Sequence, residues 1–341
     1  MPYSRFRSFL SQRGGAVPFR EFMAAALYDP SNGYYTRRIK TVGRGGDFST
    51  SATLGPLLGR AIVGWMQEGD HFKNLIEVGP GNGALAAAVL KELGWWKRRG
   101  ITLWLVEKSP VLREQQQSAL KKHGKIRWVD SVAEALKHAG GEAVIYSNEL
   151  VDAFPVVLAE WRAGSWQEVW LELTAEGRLV ETLRPLLPEI SSIALRETWN
   201  RPEGQRVEIP WSFREWLADW RPAARNVRML TIDYGGQFPE LHLRRPGGTL
   251  RAFLRHERKQ GTAIYENMGS QDLTADVCFD DLIHWGQELG LETTLNQTQG
   301  EFLQRYSKPK IGSRDEEYLI REDGAGGAFR VLGQEIRAEM L

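Results

Sequence analysis

The sequence predicts an α/β protein: a doubly wound, mostly parallel sheet with a partly antiparallel subdomain inserted into it. Three observations carry that prediction. Short apolar runs at 73–79, 101–108, 125–129 and 142–150 alternate with helical patterns, the order that right-handed crossovers between parallel strands require. Residues 156–183 then alternate polar and apolar side chains and are broken by "AGS" and "AEG", as antiparallel hairpins are. At 227–236, "VRMLTIDYGG" returns to the buried-strand pattern, so roughly 70 residues stand between the fourth and fifth core strands.

Each element has a local reason. "KNLIEVG" (73–79) is a short apolar run without proline, and "ALAAAVLKELG" after it is rich in good helix formers, with Gly94 placed to end the helix. "ITLWLVEK" (101–108) reads as a buried strand. "SPVLREQQQSALKKHG" reads as a helix with Ser109 at its cap, Pro110 at its first position and Gly124 past its end. "KIRWV" (125–129) is a third strand, and "SVAEALKHAGG" is a helix whose Ser131 and Glu134 have the spacing of a capping box. "EAVIYSNEL" (142–150) is the fourth strand. Residues 211–220 and 279–290 read as helices, 237–279 as an irregular Gly- and Arg-rich section, and 328–336 as the last strand. The expected organisation is an N-terminal helical and loop segment (1–70) over the cofactor cleft, a core from 71–155 and 227–341, and an inserted subdomain at 156–226 that faces substrate or a partner.

Composition narrows the function classes. The chain has 341 residues, 42% of them hydrophobic and 26% charged, which fits a globular protein of one elaborated domain or two smaller ones. Forty-four basic against forty-three acidic side chains leave a net charge of +1, so no global field recruits nucleic acid or an anionic membrane. The single cysteine, Cys278, excludes an internal disulfide, and no apolar run reaches the roughly 20 residues that span a bilayer. The six histidines lack metal-ligand spacing, so no metal is assigned. The start is Arg- and Ser-rich without an acid before Glu21, as transit peptides are, but it reads first as a short basic arm. The expectation is a cytoplasmic, bacterial-type protein.

"NLIEVGPGNGALAAAVL" (74–90) is the most informative stretch. Gly79, Pro80, Gly81 and Gly83 lie between a strand and a helix, where bare backbone lets a ligand approach and helix N–H groups point at it. The string also satisfies the dinucleotide pattern with Ala84 in the last position, so the glycines alone do not name the ligand. Two acids shift the balance. Glu77, beneath the turn, would repel a pyrophosphate but suits a ligand carrying ammonium and sulfonium charges, such as S-adenosylmethionine (SAM). Glu107 ends the next strand 28 residues after Gly79, farther than the roughly 20 usual for NAD, and could accept both ribose hydroxyls.

The chain also resembles the MidA-type SAM-dependent methyltransferases. The resemblance covers nearly its whole length, through "VPFREFMAAALYDPSNGYY" (17–35), "GRGGDFSTSATLGPLLGRAI" (43–62), "IEVGPGNG", "LVEKSPVLREQQ", "YSNELVDAFPV", "GTLRAFLRH" (248–256) and "QDLTADV" (271–277). It implies a class I methyltransferase (Rossmann-like) fold, SAM as cofactor and a protein arginine as substrate, since mitochondrial members of the family assist respiratory complex I assembly by that reaction. The family usually has His and Asp where this chain has Asp276 and Cys278, which bears on specificity if those side chains touch substrate.

Arginine, with a pKa above 12, must be oriented and partly neutralised by carboxylates to act as a nucleophile. Asn148, Glu149 and Asp152 are the expected catalytic group, with a helix cap and arginine pairing as the competing reading of the two acids. Asp233 and Tyr234 end the fifth strand and are expected to flank the same cleft. Asp47 and Ser51 in "GDFSTS" would close over the cofactor or serve only the loop. Asp130, with Ser131 beside it, would contact the adenine or form a helix cap. Trp161, Trp166, Trp170, Trp211, Trp216 and Trp220 concentrate near the insertion, as a private core or a partner surface. The expected partner is a protein substrate, without nucleic acid or membrane insertion, and a homodimer is left open. Two alternatives stay open at this point: an NAD-type oxidoreductase, and an assembly factor that binds SAM but works through protein contacts.

Overall fold

The structure, a computed structural model, describes residues 4–38, 56–69, 72–243, 245–254, 257–308 and 314–337, without the side chains of 4, 37–38 and 96–98. Its packing groups the chain into two units: residues 40–150, 216–235 and 283–341, and residues 1–39, 151–215 and 236–282.

The first unit holds the expected sheet. Its strands are β1 (Asn74–Val78), β2 (Thr102–Val106), β3 (Lys125–Val129), β4 (Glu142–Asn148), β5 (Asn226–Gly236), β6 (Glu292–Thr298) and β7 (Phe329–Ile336). They lie in the order β6-β7-β5-β4-β1-β2-β3. All pairings from β3 across to β5 are parallel, while β7 runs antiparallel to both β5 and β6. The order reverses at β1 and β4: the chain winds outward from β1 to β3, then returns to β4 on the other side. Ligands bind at such a switch point, outside the carboxyl ends of the strands.

Helices α1 (Ala84–Arg98), α2 (Pro110–Leu120) and α3 (Val132–His138) make the crossovers. Ser109 accepts from the Leu112 N–H and Ser131 from the Glu134 N–H, so both expected caps form. At Gly94, φ is +70° and the helix breaks as expected, but a further helical turn follows. Leu75, Leu103, Leu105, Val144, Leu230 and Ile232 of the sheet join Leu85, Val89, Ile62 and Phe302 in one core cluster. Each such side chain contributes ~1.5–3 kcal/mol by burial. Helix Leu57–Met66 approaches α1 so closely that a Cβ on Gly59 would lie 2.7 Å from that of Ala88.

Strand β6 was not visible in the sequence. Its "ETTLNQT" buries only Leu295, because it lies at the sheet edge with a largely polar outer face.

In the second unit, strands Val157–Arg162, Ser165–Leu173 and Leu179–Pro185 form the expected antiparallel hairpins. At the first turn Ala163 (φ +49°) and Gly164 (φ +80°) are both left-handed, the type I′ geometry that matches strand twist. Strand Ala16–Pro18 pairs with Ser165–Leu173, and Arg206–Ile209 pairs with Val157–Arg162. Helix Phe19–Tyr28 buries Phe19, Phe22, Met23, Ala26 and Leu27, and Phe22 packs on Phe6 and Tyr265. Within 237–279, read from sequence as irregular, a three-stranded sheet forms from Arg251–Leu254, Glu257–Lys259 and Asp272–Thr274. Strands of three or four residues are too short for a period of two to show.

Of the six tryptophans near the insertion, two are buried and four half-exposed. Trp211 and Trp220 are buried, and arginines cover others: Arg184 lies 3.9 Å over Trp170 and Arg201 3.9 Å over Trp161.

Candidate cofactor and catalytic site

The glycine loop opens at the carboxyl end of β1. Gly79, Gly81 and Gly83 have φ of +66°, +54° and +82°, a region that an L side chain enters only with strain. The Gly79 N–H donates to the Val106 carbonyl at 3.1 Å, and the Gly83 N–H to the Pro80 carbonyl at 2.8 Å, which closes a tight turn. Pro80 is buried, and the Asn82 side chain accepts from the Ala84 N–H at the start of α1. A Cβ on Gly79 would crowd the end of the Leu150 side chain at 3.0 Å, in addition to the strain of its positive φ.

Glu77 lies beneath the loop and is 2% exposed. It accepts a hydrogen bond from the Tyr146 hydroxyl at 2.9 Å. Burial pushes its carboxyl up to about 8, against the lowering effect of that bond. Without a cation beside it, the group therefore holds its proton at neutral pH.

Glu107 follows β2, and its Oε1 accepts from the Ser109 N–H at 2.7 Å. Desolvation raises its pKa, opposed by the Ser109 N–H, the Gln116 amide, the Lys108 N–H and Arg113. Arg113 ties the ends of β2 and β3 together, donating to the carbonyls of Glu107 and Val129 and pairing with Asp130 at 2.6 Å. Asp130 projects at the end of β3 while its N–H donates to Glu134, and the Ser131 hydroxyl is engaged as the cap of α3. Here the cap reading holds for Ser131.

At the end of β4, Glu149 is left-handed with φ +52°, an uncommon state for a residue that is not glycine. Its N–H bonds the Ile232 carbonyl at 2.9 Å, and the Asn148 side-chain amide donates to its Oε1 at 3.1 Å. Asp233, expected to flank a cleft, is instead fully buried and accepts from the N–H groups of Leu150 and Tyr234. It braces the turn that carries Glu149. Asp152 belongs to the second unit, in the short helix Val151–Ala153, where its carbonyl accepts from the Ala275 N–H at 3.1 Å. Tyr35 in the same unit donates to Asp272 at 2.9 Å, and burial together with Asp272 and Asp152 lifts its hydroxyl well above the usual tyrosine range.

Asp47 and Ser51 lie outside the described residues. Of the two positions that depart from the family pattern, Asp276 is held in ion pairs with Arg245 and Arg251, and Cys278 is packed in the core at 1% exposure. Two residues escaped sequence reasoning. Tyr146 hides within an apolar strand. Gln116 shares its face of α2 with Leu112 and Leu120, and a polar residue in that apolar stripe was the available signal.

The donor set fits SAM. A tight glycine-rich loop lies above a carboxyl that a cation would ionise, and the Glu107 carboxylate beside it keeps acceptor capacity for a diol.

A family model described as "Putative S-adenosyl-L-methionine-dependent methyltransferase" matches residues 57–296. The chain is 29% identical over 331 residues to the mitochondrial protein arginine methyltransferase NDUFAF7 homolog of Drosophila melanogaster, covering 85% of this chain and 71% of that one. It is 28% identical over 302 residues to the mitochondrial NDUFAF7 of Danio rerio, covering 79% and 68%. Among solved structures, a COG1565 superfamily member from Burkholderia thailandensis bound to S-adenosyl-homocysteine superposes with a TM-score of 0.84 at 25% identity, over 97% of this chain and 91% of that one. These relatives overturn the expectation of a cytoplasmic place, since the curated ones are named as mitochondrial proteins. Among the described residues no helix is long and apolar enough to cross a membrane.

Proposed function

We propose that this chain, which belongs to the family of S-adenosyl-L-methionine-dependent methyltransferases, methylates arginine side chains of a protein substrate. It is a SAM-dependent methyltransferase by family; the arginine substrate is supported by the names of its curated relatives. When bound, the cofactor supplies an electrophilic methyl group. The loop of Gly79, Pro80, Gly81 and Gly83 would bear its backbone contacts, Glu77 its cationic end, Glu107 its ribose and Asp130 its adenine amino group.

What most supports a guanidinium as the acceptor is Glu149. A left-handed residue that is not glycine stores about 1–3 kcal/mol of strain, and such strain persists where the surroundings over-determine it, commonly at functional sites. Here the Ile232 carbonyl, the Asn148 amide and the braced Leu150 N–H hold the residue on both sides. Glu149 would orient the guanidinium and take up its proton, with Asn148 fixing the carboxylate plane.

Glu149→Gln keeps the shape and removes the charge. SAM affinity by calorimetry should stay near normal, while methyl transfer to the protein target falls by ~10²-fold or more. Affinity lost in proportion to activity would place Glu149 in the cofactor site, and wild-type turnover would remove the arginine mechanism's main residue.

A further inference from the structure

The glycine loop and Glu107 come from different crossovers, yet one buried side chain touches both. Gln116 on α2 is wholly buried. Its Nε2 donates to the Gly81 carbonyl at 2.7 Å and to Glu107 Oε2 at 3.3 Å. Its Oε1 accepts from Trp128 Nε1 on β3 at 2.9 Å. The amide orientation follows from chemistry: an indole N–H can only donate and a carbonyl can only accept, so the flipped amide would lose these bonds. Loop, ribose acid and third strand thus meet at one group. The contact extends to packing, since a Cβ on Gly83 would lie 3.4 Å from Gln116 Cγ.

We infer that Gln116 is a positioning residue of the cofactor site, joining the glycine loop to Glu107 so that both are preset for the ligand. This rests on the reading of Glu107 as the ribose acid. The Ser109 N–H holds Oε1 and Gln116 holds Oε2, which fixes the carboxylate plane and leaves acceptor capacity on each oxygen for the two hydroxyls. A carboxylate held at one oxygen only would rotate, and the diol would then be met in the right geometry for a fraction of the time.

The test is calorimetry with S-adenosylhomocysteine on the full chain. Glu107→Gln should weaken binding by about 30-fold. Gln116→Met, of similar length and without hydrogen bonds, should weaken it by about 10-fold, and the double variant should be within about 3-fold of Glu107→Gln alone, because the two act as one unit. Trp128→Phe, which keeps the amide but frees its oxygen, should cost about 3-fold and serves if Gln116→Met does not fold. A pH series separates positioning from general damage. With the amide gone, only the N–H groups of Ser109 and Lys108 and the charge of Arg113, itself shared with Asp130, still favour ionised Glu107. The deficit of Gln116→Met should therefore widen as the pH is lowered toward the range in which Glu107 takes up its proton. Additive losses, a deficit that does not change with pH, or wild-type affinity in both Gln116→Met and Trp128→Phe would overturn the inference while Glu107→Gln remains weak. If Glu107→Gln itself binds normally, the ribose reading beneath the inference falls first.

Discussion

The residues that matter most here do so through backbone state. Gly81 sits at φ +54°, where a β-branched side chain is strongly disfavoured, and its carbonyl is held by Gln116. Gly81→Val should cost about 1–2 kcal/mol of apoprotein stability and abolish the thermal shift that S-adenosylhomocysteine confers on the wild type. An undiminished shift would mean that the ligand lies elsewhere. The three glycines were legible because only glycine takes such φ values freely, so the sequence records the geometry. Gln116 was not, since its significance depends on three partners from separate elements.

At the scale of elements, caps and turns were the legible part. Ser109, Pro110 and Ser131 mark helix starts whose bonds the structure contains, because a cap joins residues three apart and needs no tertiary partner. The turn after Arg162 was equally visible, and it supports a prediction. Ala163 pays for a left-handed φ of +49° that glycine would take without strain. Ala163→Gly should stabilise the protein by about 0.5–1 kcal/mol after the entropy cost of glycine, and Ala163→Val should destabilise it by about 1–2 kcal/mol. Urea denaturation of the two variants decides this, and a neutral valine variant would contradict the type I′ turn. Strand β6 and the three short strands within 237–279 stayed hidden for the opposite reason: their pairing comes from neighbours distant in sequence.

For the molecule as a whole, three buried groups give stability an unusual pH dependence. Burial raises Glu77 to about 8 and Asp281 to about 7, and lowers His242 to about 4. A raised carboxyl contributes stability that is fully present below its unfolded value, 4.5 for Glu77 and 3.8 for Asp281, and is lost as pH rises through the folded value. His242 acts in the reverse sense, its contribution present above 6.5 and lost as pH falls through 4. The apoprotein should thus be more stable at pH 6.5 than at pH 8.5, by about 2 kcal/mol from Glu77 alone. Glu77→Gln should remove that part of the slope in the unit that contains it, leaving the part due to Asp281 in the other. Thermal unfolding across that range checks the sign, and a melting temperature that rises toward pH 8.5 would refute it.

The parallel strands of the core, the glycine loop and the acids at the strand ends were legible in the sequence, because hydrophobic period, helix caps and glycine φ are local properties that each stretch specifies for itself. The order of the strands, with its switch between β1 and β4, came from the tertiary pairing. Tertiary structure decided what depends on company. It made Glu77 a proton-holding acid by burying it beside Tyr146, and turned Asp233 from an expected cleft residue into a brace for Leu150. It committed Asp276 to two arginines and brought Gln116 to the junction of loop, ribose acid and third strand. Burial and hydrogen-bond partnership are properties of a place in the fold, and no residue carries them in its own name.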